Sequence, residues 1–381
     1  MPEAEHMRWL IHVGVIHSIR RCSNSLVTRA KTTTNQHSRA TDLGQPSAAG
    51  VGRGLARCWA LQFCKLSYNH LDITNTKRRE IMRLRSHLIS ILLVASVMLT
   101  PHLLYAVGDE VMFLKVSSGT FDHPHDLALG PSNQYLYVAD LGNHVVKVLD
   151  PFSLKTLGVI GKGELTAPHD VAFDRMGRLL VADSGNDRIA IYKVDGAKAT
   201  YEAELRGGLG SPEGVTSDSR GVIYVTNTGL HSVLAFKHGK KINALGSHGP
   251  GARRFVRPHD IEFSLDGQLY VSDPGNNRIQ ILSPSLDVVG TFRGDGADFH
   301  EPKYMAIDEG DWLYVADQLN HQVKVFNRFR KSIATIGTGK AGKGSDQLDG
   351  PEGVEARIGH IWISDTHNDR IVLYKWKPPV H

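Results

Sequence analysis

The sequence predicts an all-β fold, a β-propeller in which six four-stranded sheets form a ring. A short motif recurs with a long, nearly constant period, in steps of 44, 44, 46, 44 and 49 residues; it starts at Pro124, Pro168, Pro212, Pro258, Pro302 and Pro351. Each copy is followed by short β-rich runs separated by polar turns, a pattern typical of strands. Glycine makes up 38 of the 381 residues, as expected for many tight turns. A period in the forties with several strands per unit is typical of a propeller.

Each repeat contains further strands at fixed distances from its proline. The second strands end in Asp or Asn, as in Tyr137–Asp140, Leu180–Asp183, Tyr224–Asn227, Tyr270–Asp273, Tyr314–Asp317 and Trp362–Asp365. A polar turn then leads to third strands such as Val145–Leu149, Ile279–Leu282 and Ile371–Tyr374. Five units continue into a fourth strand, for example Thr156–Ile160, Val288–Phe292 and Ser332–Ile336.

The sixth repeat lacks a fourth strand, because the sequence ends soon after Tyr374. The apolar run Val111–Val116 precedes the first repeat, where a fourth strand would be expected. We therefore expect it to pair beside Val372–Lys375 and close the ring, which would protect the edges of an open array.

Charge and cysteine are distributed unevenly. Residues 1–106 contain 14 Lys and Arg against 5 Asp and Glu, whereas residues 107–381 contain 30 against 34. The predicted propeller is thus mildly acidic, which argues against nucleic acid as a partner. All three cysteines, Cys22, Cys58 and Cys64, precede it, which excludes a disulfide framework or a cysteine nucleophile in residues 107–381.

The N-terminal quarter divides into two segments. Residues 1–81 show no sustained periodicity, and we interpret them as a disordered or non-native extension, with Met82 as the true start. Residues 82–106 resemble a signal peptide, with a basic start, an apolar run from Leu88 to Leu99 and a small residue at Ala106. The run is too short for a stable membrane span. We therefore expect residues 107–381 to be a secreted or periplasmic domain and a monomer; a signal anchor is the alternative.

The residue after each repeat proline should face the central axis at one mouth of the ring. These residues are all ionisable: His125, His169, Glu213, His259, Lys303 and Glu352. Three converging imidazoles suit zinc, and Glu213 or Glu352 could act as a fourth ligand or as a general base. The aspartates that follow the histidines, Asp126, Asp170 and Asp260, suit a hard cation such as calcium. A polar, solvated pore mouth without metal is the alternative, and Lys303 places a positive charge in the ring.

Recurrent arginines follow the turn after the second strand: Arg188, Arg278 and Arg370. Each could form an ion pair between blades or contact a ligand, and we take Arg278 as a candidate for holding a substrate carboxylate. The histidines of the same turns, His144, His231 and His321, are expected to be solvated.

The repeats resemble the NHL family in their Pro-x-Gly/Asp entries, their Tyr-Val-Ala/Ser-Asp strands and the Gly-Asn-Asp/Asn-Arg-Ile turns at Gly185–Ile189 and Gly275–Ile279. The resemblance covers residues 108–377. It implies a six-bladed propeller, a scaffold that supports enzymes, binding proteins and RNA binders alike.

The mouth histidines resemble those of peptidyl-α-hydroxyglycine α-amidating lyases, which are secreted propellers with zinc and a structural calcium. The resemblance implies metal-binding roles for His169, His259 and Asp260, and a substrate contact for Arg278. The chain departs from that family in three ways. It has no Tyr in the turn Asn227–Ser232, it has Glu352 in place of a histidine, and it lacks the disulfides.

Three functions therefore remain open from the sequence. The first is a metal-dependent lyase or hydrolase acting on a small molecule or peptide at the mouth. The second is a non-catalytic propeller that binds a ligand or a protein partner. The third, a sugar-lactone hydrolase of the gluconolactonase type, is less well supported, because a histidine-rich ring does not suggest its Glu, Asn and Asp ligands.

Overall fold

The computed structural model describes residues 111–296, 298–357 and 359–377. The predicted extension (1–81) and signal peptide (82–106) lie outside these ranges. No helix in the described ranges is long and apolar enough to cross a membrane.

The described residues form six antiparallel four-stranded sheets, which confirms the predicted six-bladed propeller. The chain enters through β1 (Val111–Val116), which belongs to the last blade. Blade 1 contains β2 (Pro124–Leu129), β3 (Leu136–Asp140), β4 (Val145–Leu149) and β5 (Thr156–Ile160). Blade 2 contains β6 (Pro168–Phe173), β7 (Arg178–Asp183), β8 (Arg188–Asp195) and β9 (Lys198–Leu205). Blade 3 contains β10 (Pro212–Ser217), β11 (Val222–Asn227), β12 (Ser232–Lys237) and β13 (Lys240–Leu245).

The remaining three blades follow the same order from the axis outward. Blade 4 contains β14 (Ile261–Phe263), β15 (Leu269–Asp273), β16 (Arg278–Leu282) and β17 (Val288–Phe292). Blade 5 contains β18 (Pro302–Ile307), β19 (Leu313–Asp317), β20 (Gln322–Phe326) and β21 (Ser332–Ile336). Blade 6 contains β22 (Val354–Arg357), β23 (His360–Asp365), β24 (Arg370–Trp376) and β1. Short 3₁₀ turns join the second and third strands of blades 2 to 6, at Ser184–Asn186, Thr228–Leu230, Pro274–Asn276, Gln318–Asn320 and Thr366–Asn368.

Strand β1 occupies the fourth-strand position of blade 6. It pairs antiparallel with β24, with Val111 opposite Trp376 and Val116 opposite Val372. The expected pairing of this segment with the last strand is therefore present.

Apolar side chains pack between neighbouring blades, because each sheet buries both of its faces. In the described residues each junction has its own buried cluster. The junction of blades 6 and 1 contains Leu127, Val138 and Trp362, and the Trp362 indole donates a 2.6 Å hydrogen bond to Pro151 O. The first and last blades are thus joined by the same kind of packing as the others.

The first strand of each blade is irregular where it enters the sheet. Its register against the second strand shifts just after the repeat proline in blades 1, 2, 3 and 5. In blades 4 and 6 the regular strand begins only at Ile261 and Val354. Bulges change the direction of a side chain, and here they direct the residue after the proline toward the axis.

A carboxylate or amide at the end of each second strand fastens the blade entry. In blade 4, Asp273 Oδ1 accepts the Val256 N–H at 2.7 Å, and Asp273 Oδ2 accepts hydrogen bonds from Asn276 and Arg278. The equivalent acceptors of the other blades are Asp140, Asp183, Asn227, Asp317 and Asp365. The sequence pattern of strands ending in Asp or Asn thus has a structural cause.

A second circle of hydrogen bonds links each blade to the next. The residue after each connecting turn has a left-handed backbone, and its side chain accepts the N–H of the residue before the next repeat proline. The acceptor is an imidazole Nδ1 in blades 1, 3 and 5: His144 accepts from Ala167, His231 from Arg257 and His321 from Gly350, at 2.9, 3.1 and 3.1 Å. In blades 2, 4 and 6 it is Asp187, Asn277 or Asp369. The turn histidines therefore join blades, a role beyond the solvation expected of them.

Deleting residues 111–116 should lower the stability of the whole propeller. The deletion exposes the edge of β24, whose Val372 and Leu373 pack against blades 5 and 1. Losing the strand's hydrogen bonds should cost on the order of 3 kcal/mol. Guanidinium unfolding followed by circular dichroism and tryptophan fluorescence should show one transition at lower denaturant. Two separate transitions, or an unchanged midpoint, would contradict this expectation.

Replacing His231 by Asn should make the propeller more resistant to acid. An Nδ1 that accepts an N–H must be unprotonated, and burial, with His248 and Arg257 nearby, lowers the pKa of His231. This contribution is present above the ordinary pKa of about 6.5 and is lost as the pH falls below it. Asn accepts the same bond at any pH and tolerates this backbone, as Asn277 shows.

Denaturation at pH 7.5 and pH 5.0 measures this effect. His231→Asn should match the wild type at pH 7.5 and exceed it at pH 5.0 by about 1 kcal/mol. His238→Asn is the matched control, because His238 has the same left-handed backbone but is exposed in a hairpin. Equal losses of stability in the wild type and His231→Asn would contradict the proposed cause.

Candidate functional site

The six residues that follow the repeat prolines come together at one mouth of the axis. His125, His259, Lys303 and Glu352 are buried, and His169 and Glu213 are nearly so. The rings of His125 and His169 lie 4.8 Å apart, and those of His169 and His259 lie 6.3 Å apart. The rings thus face the axis and one another, as the sequence predicts.

Backbone carbonyls fix two of the imidazoles. The Nδ1 of His125 lies 3.0 Å from His123 O, and the Nδ1 of His169 lies 3.0 Å from Ala167 O. A carbonyl oxygen only accepts, so each Nδ1 must donate its proton. The Nε2 atoms of both rings are then free acceptors directed at the other mouth residues.

Two glutamates lie between the imidazoles. Glu352 Oε2 is 3.3 Å from His125 Nε2 and 3.6 Å from His259 Nε2, and Glu352 Oε1 accepts a 2.6 Å hydrogen bond from Gln318. Glu213 contacts His259 Nδ1 closely and lies 3.8 Å from His169 Nε2. The mouth is therefore an alternating set of imidazoles and carboxylates, and the three rings do not meet at one point.

The mouth residues differ in protonation state, because their surroundings shift their pKa values in different directions. Burial lowers the pKa of His125, and burial together with the neighbouring His125 lowers the pKa of His169 to about 4. Burial also opposes charge on His259, but Glu213 and Glu352 outweigh it and raise the pKa of His259. The same contacts overcome burial and lower the pKa of Glu213 to about 2 and that of Glu352 below its ordinary range. His125 and His169 are thus neutral at neutral pH, whereas His259, between two carboxylates, holds its proton more strongly than an ordinary histidine.

Some polar atoms of the mouth are buried without a hydrogen-bond partner. They are His259 Nε2 and Glu352 Oε2, whereas Glu213 Oε2 contacts His259 Nδ1 closely. Such atoms destabilise a protein unless something satisfies them, so the mouth has unused capacity to bind.

Three aspartates form a second layer beside the mouth. Asp170 Oδ2 accepts the Val215 N–H at 2.5 Å, and Asp260 Oδ2 accepts the Met305 N–H at 2.7 Å, each from the next blade. Asp126 lies near Asp170, and its Oδ1 is buried without a hydrogen-bond partner. Burial raises the pKa of all three, that of Asp170 to about 6. Two of the predicted calcium ligands are thus also fasteners between blades.

The glycines of the two Glu-Gly entries have a steric cause. A Cβ at Gly353 would lie 2.2 Å from His125 O, and a Cβ at Gly214 would lie 2.6 Å from His259 O. Only glycine fits where the entry of one blade crosses the backbone of another so closely.

Arg278 does not have the position expected of a substrate contact. It is 4% exposed, and its guanidinium binds Asp273 and the carbonyls of Pro250, Gly251 and Arg254. Arg188 and Arg370 bind Asp183 and Asp365 and their neighbouring loops in the same way. The recurrent arginine is therefore a structural partner of the second-strand carboxylate, and the role predicted for Arg278 is revised.

Two residues at the mouth were missed by the sequence argument. Gln318 orients Glu352, and the buried Tyr304 packs 4.9 Å from the His259 ring and donates a hydrogen bond to Glu213 O. Tyr304 stands where the other repeats have Asp or Gly, so the unusual entry Pro302–Met305 was a signal for it. Gln318 lies in a variable turn and had no comparable signal.

Another set of ligand-type side chains lies on the surface. Within the described residues, Asp122, His123 and Asp369 bring three ligand-type atoms within 4.8 Å of one another, all exposed. Asp369 also accepts the His123 N–H at 2.9 Å, so this set coincides with the link between blades 6 and 1.

Comparison with known proteins supports the fold and points to a family. Human NHL repeat-containing protein 2 is 24% identical over 298 residues, which cover 58% of this chain and 41% of that protein. A probable peptidyl-alpha-hydroxyglycine alpha-amidating lyase of Caenorhabditis elegans is 27% identical over 183 residues, covering 42% of this chain and 52% of that protein. The chain thus spans only about two fifths to one half of these relatives.

A gluconolactonase structure from Xanthomonas campestris matches 71% of this chain and 96% of its own, with a TM-score of 0.54 and 16% identity, and supports the fold alone. The profile of the family described as "Lactonase, 7-bladed beta-propeller" matches residues 152–354, more than half of the chain. The protein therefore belongs to this propeller family, and its own ring has six blades built from NHL-type repeats.

Proposed function

We propose that the axial mouth binds a divalent cation and that the protein is a metal-dependent lyase or hydrolase for a small molecule or peptide. The observation that carries the proposal is the fixed orientation of His125 and His169. Each donates Nδ1–H to a backbone carbonyl and presents Nε2 to the mouth. Metal-binding histidines are usually held in this way: one ring nitrogen donates its proton to a nearby acceptor, which leaves the other nitrogen for the metal.

The donor set of the mouth fits zinc best. Imidazole nitrogens and one or two carboxylates are its usual ligands, and a buried acceptor without a hydrogen-bond partner is available at Glu352 Oε2. His125 and His169 would hold the ion, with Glu352 as the nearest additional donor, and His259 would have to give up the proton that Glu213 and Glu352 stabilise before it could join them. When bound, zinc would polarise a substrate oxygen or lower the pKa of a water.

The chain's own residues supply the remaining functions. Glu213 and Glu352 are ionised at neutral pH, because the neighbouring His259 and His125 lower the pKa of these carboxyls, and each can accept a proton from a substrate or water. Gln318 holds one oxygen of Glu352 and leaves the other facing the histidines. Calcium at Asp126, Asp170 and Asp260 stays a prediction, supported by the buried, unpartnered Asp126 Oδ1.

The chain is distantly similar to an amidating lyase. Peptidyl-α-hydroxyglycines are therefore the first substrate class to test for lyase activity. The absence of Tyr from the turn Asn227–Ser232 argues for a different proton donor or a different substrate. A location outside the cytoplasm remains part of the proposal and depends on the segment 82–106.

A second candidate function is a binding propeller without metal. One observation favours it: His259 and Lys303 balance the charges of Glu213 and Glu352, so the mouth is neutral without an added cation. Such a site would bind a polar ligand through hydrogen bonds.

Metal analysis of the purified full-length protein, with the variants His125→Ala and His169→Ala, tests the proposal. We expect about one equivalent of zinc in the wild type and at least a hundredfold weaker zinc binding in either variant, because each removes an inner ligand. Turnover of a peptidyl-α-hydroxyglycine or a sugar lactone should fall with zinc content. His238→Ala is the matched control, since this histidine is exposed in the β12–β13 hairpin.

The melting temperature separates loss of metal from loss of fold. The variants should keep the wild-type value in chelator, because mouth histidines add little to the apolar packing between blades. Zinc binding that is unchanged in both variants would overturn the metal site. Ligand binding without turnover, whether or not zinc is present, would favour the binding propeller.

A further inference from the structure

Lys303 is a buried cation of the mouth without a hydrogen-bond partner. Its side chain is 9% exposed, and it lies in the ring between His259 and Glu352 in blade order. Among the described residues, the nearest carboxylate oxygen is Glu301 Oε2 at 3.8 Å, beyond hydrogen-bond distance. Within the described residues its Nζ makes no hydrogen bond and pairs with a carboxylate only at this distance.

The ring carboxylates do not supply the missing acceptor. Glu213 faces His259 and His169, while Glu352 faces His125, His259 and Gln318. In the described part of the chain neither glutamate lies within 4.0 Å of Lys303 Nζ. Their charges act on it only from a longer distance.

Other buried lysines of the propeller are paired. Lys324, whose side chain is 5% exposed, contacts Asp317 Oδ2 at 2.5 Å and donates to Asp298 O at 2.9 Å. Lys147 lies 2.7 Å from Asp140 Oδ2. Burying an ammonium without a partner is costly, so a position that keeps one calls for an acceptor from outside the protein.

We infer that Lys303 binds an anionic group, carboxylate or phosphate, of the ligand that enters the mouth. The inference deepens the proposed function by naming the substrate class, which is a small molecule or peptide end with a negative charge. That charge pairs with Lys303, and the ligand's neighbouring polar group faces His259 and Glu352. It requires the mouth to be the ligand site and does not require a metal. A neutral lactone offers no such charge, whereas a carboxylate does.

The test measures binding of acetate and of inorganic phosphate to the full-length protein by calorimetry, with acetamide as the neutral counterpart of acetate. We expect at least one of the two anions to bind the wild-type protein. If the site takes carboxylates, acetamide should bind at least tenfold more weakly than acetate. The preferred anion identifies the ligand's charged group. Lys303→Met should weaken anion binding at least tenfold, and Lys303→Arg should restore most of it.

Lys331→Met is the matched control, because Lys331 is exposed just before β21 and its ammonium pairs with Asp295. Repeating the titrations in chelator separates this inference from the metal proposal, since Lys303-dependent binding should persist when zinc is gone. Anion binding unchanged by Lys303→Met would overturn the inference.

Discussion

The carboxylate or amide that ends each second strand is the contact on which the rest of the propeller depends. It binds the backbone of the loop that enters its own blade, and in most blades a cation of the third strand as well. Because it is fully buried, removing its cationic partner would leave an isolated charge, one of the costlier defects in a protein interior. This contact fixes where the entry loop lies, and the entry loop carries the residue that reaches the axis.

The site is thus positioned by elements that take no part in its chemistry. Asp183 holds the N–H of Thr166, three residues before His169, and His144 of the preceding blade holds the N–H of Ala167. Ala167 in turn accepts the Nδ1 proton of His169. The orientation of one mouth imidazole is therefore set by two neighbouring blades, which gives the mouth a rigid geometry without a disulfide.

Most of the fold could be predicted from the sequence, because the period, the strand endings and the turns repeat locally. The convergence of His125, His169, Glu213, His259, Lys303 and Glu352 followed from the same register. The role of Arg278 could not be predicted in this way, because its carbonyl partners lie 24 to 28 residues upstream in a loop without a motif. The contact of Gln318 with Glu352 likewise crosses from one blade to the next and leaves no trace in either repeat.

The order of mouth residues has a near-twofold pattern. Reading from blade 1, His, His, Glu is followed by His, Lys, Glu, and the next residues repeat as Asp, Asp, Gly and Asp, Tyr, Gly. Blades 3 and 6 therefore match, as do blades 1 and 4, and only blade 5 departs from its counterpart, blade 2. A symmetric mouth would accept an asymmetric ligand in two equivalent orientations. Blade 5 has Lys303 and Tyr304 where blade 2 has His and Asp. This difference removes the equivalence, so an asymmetric ligand has a single orientation in the mouth.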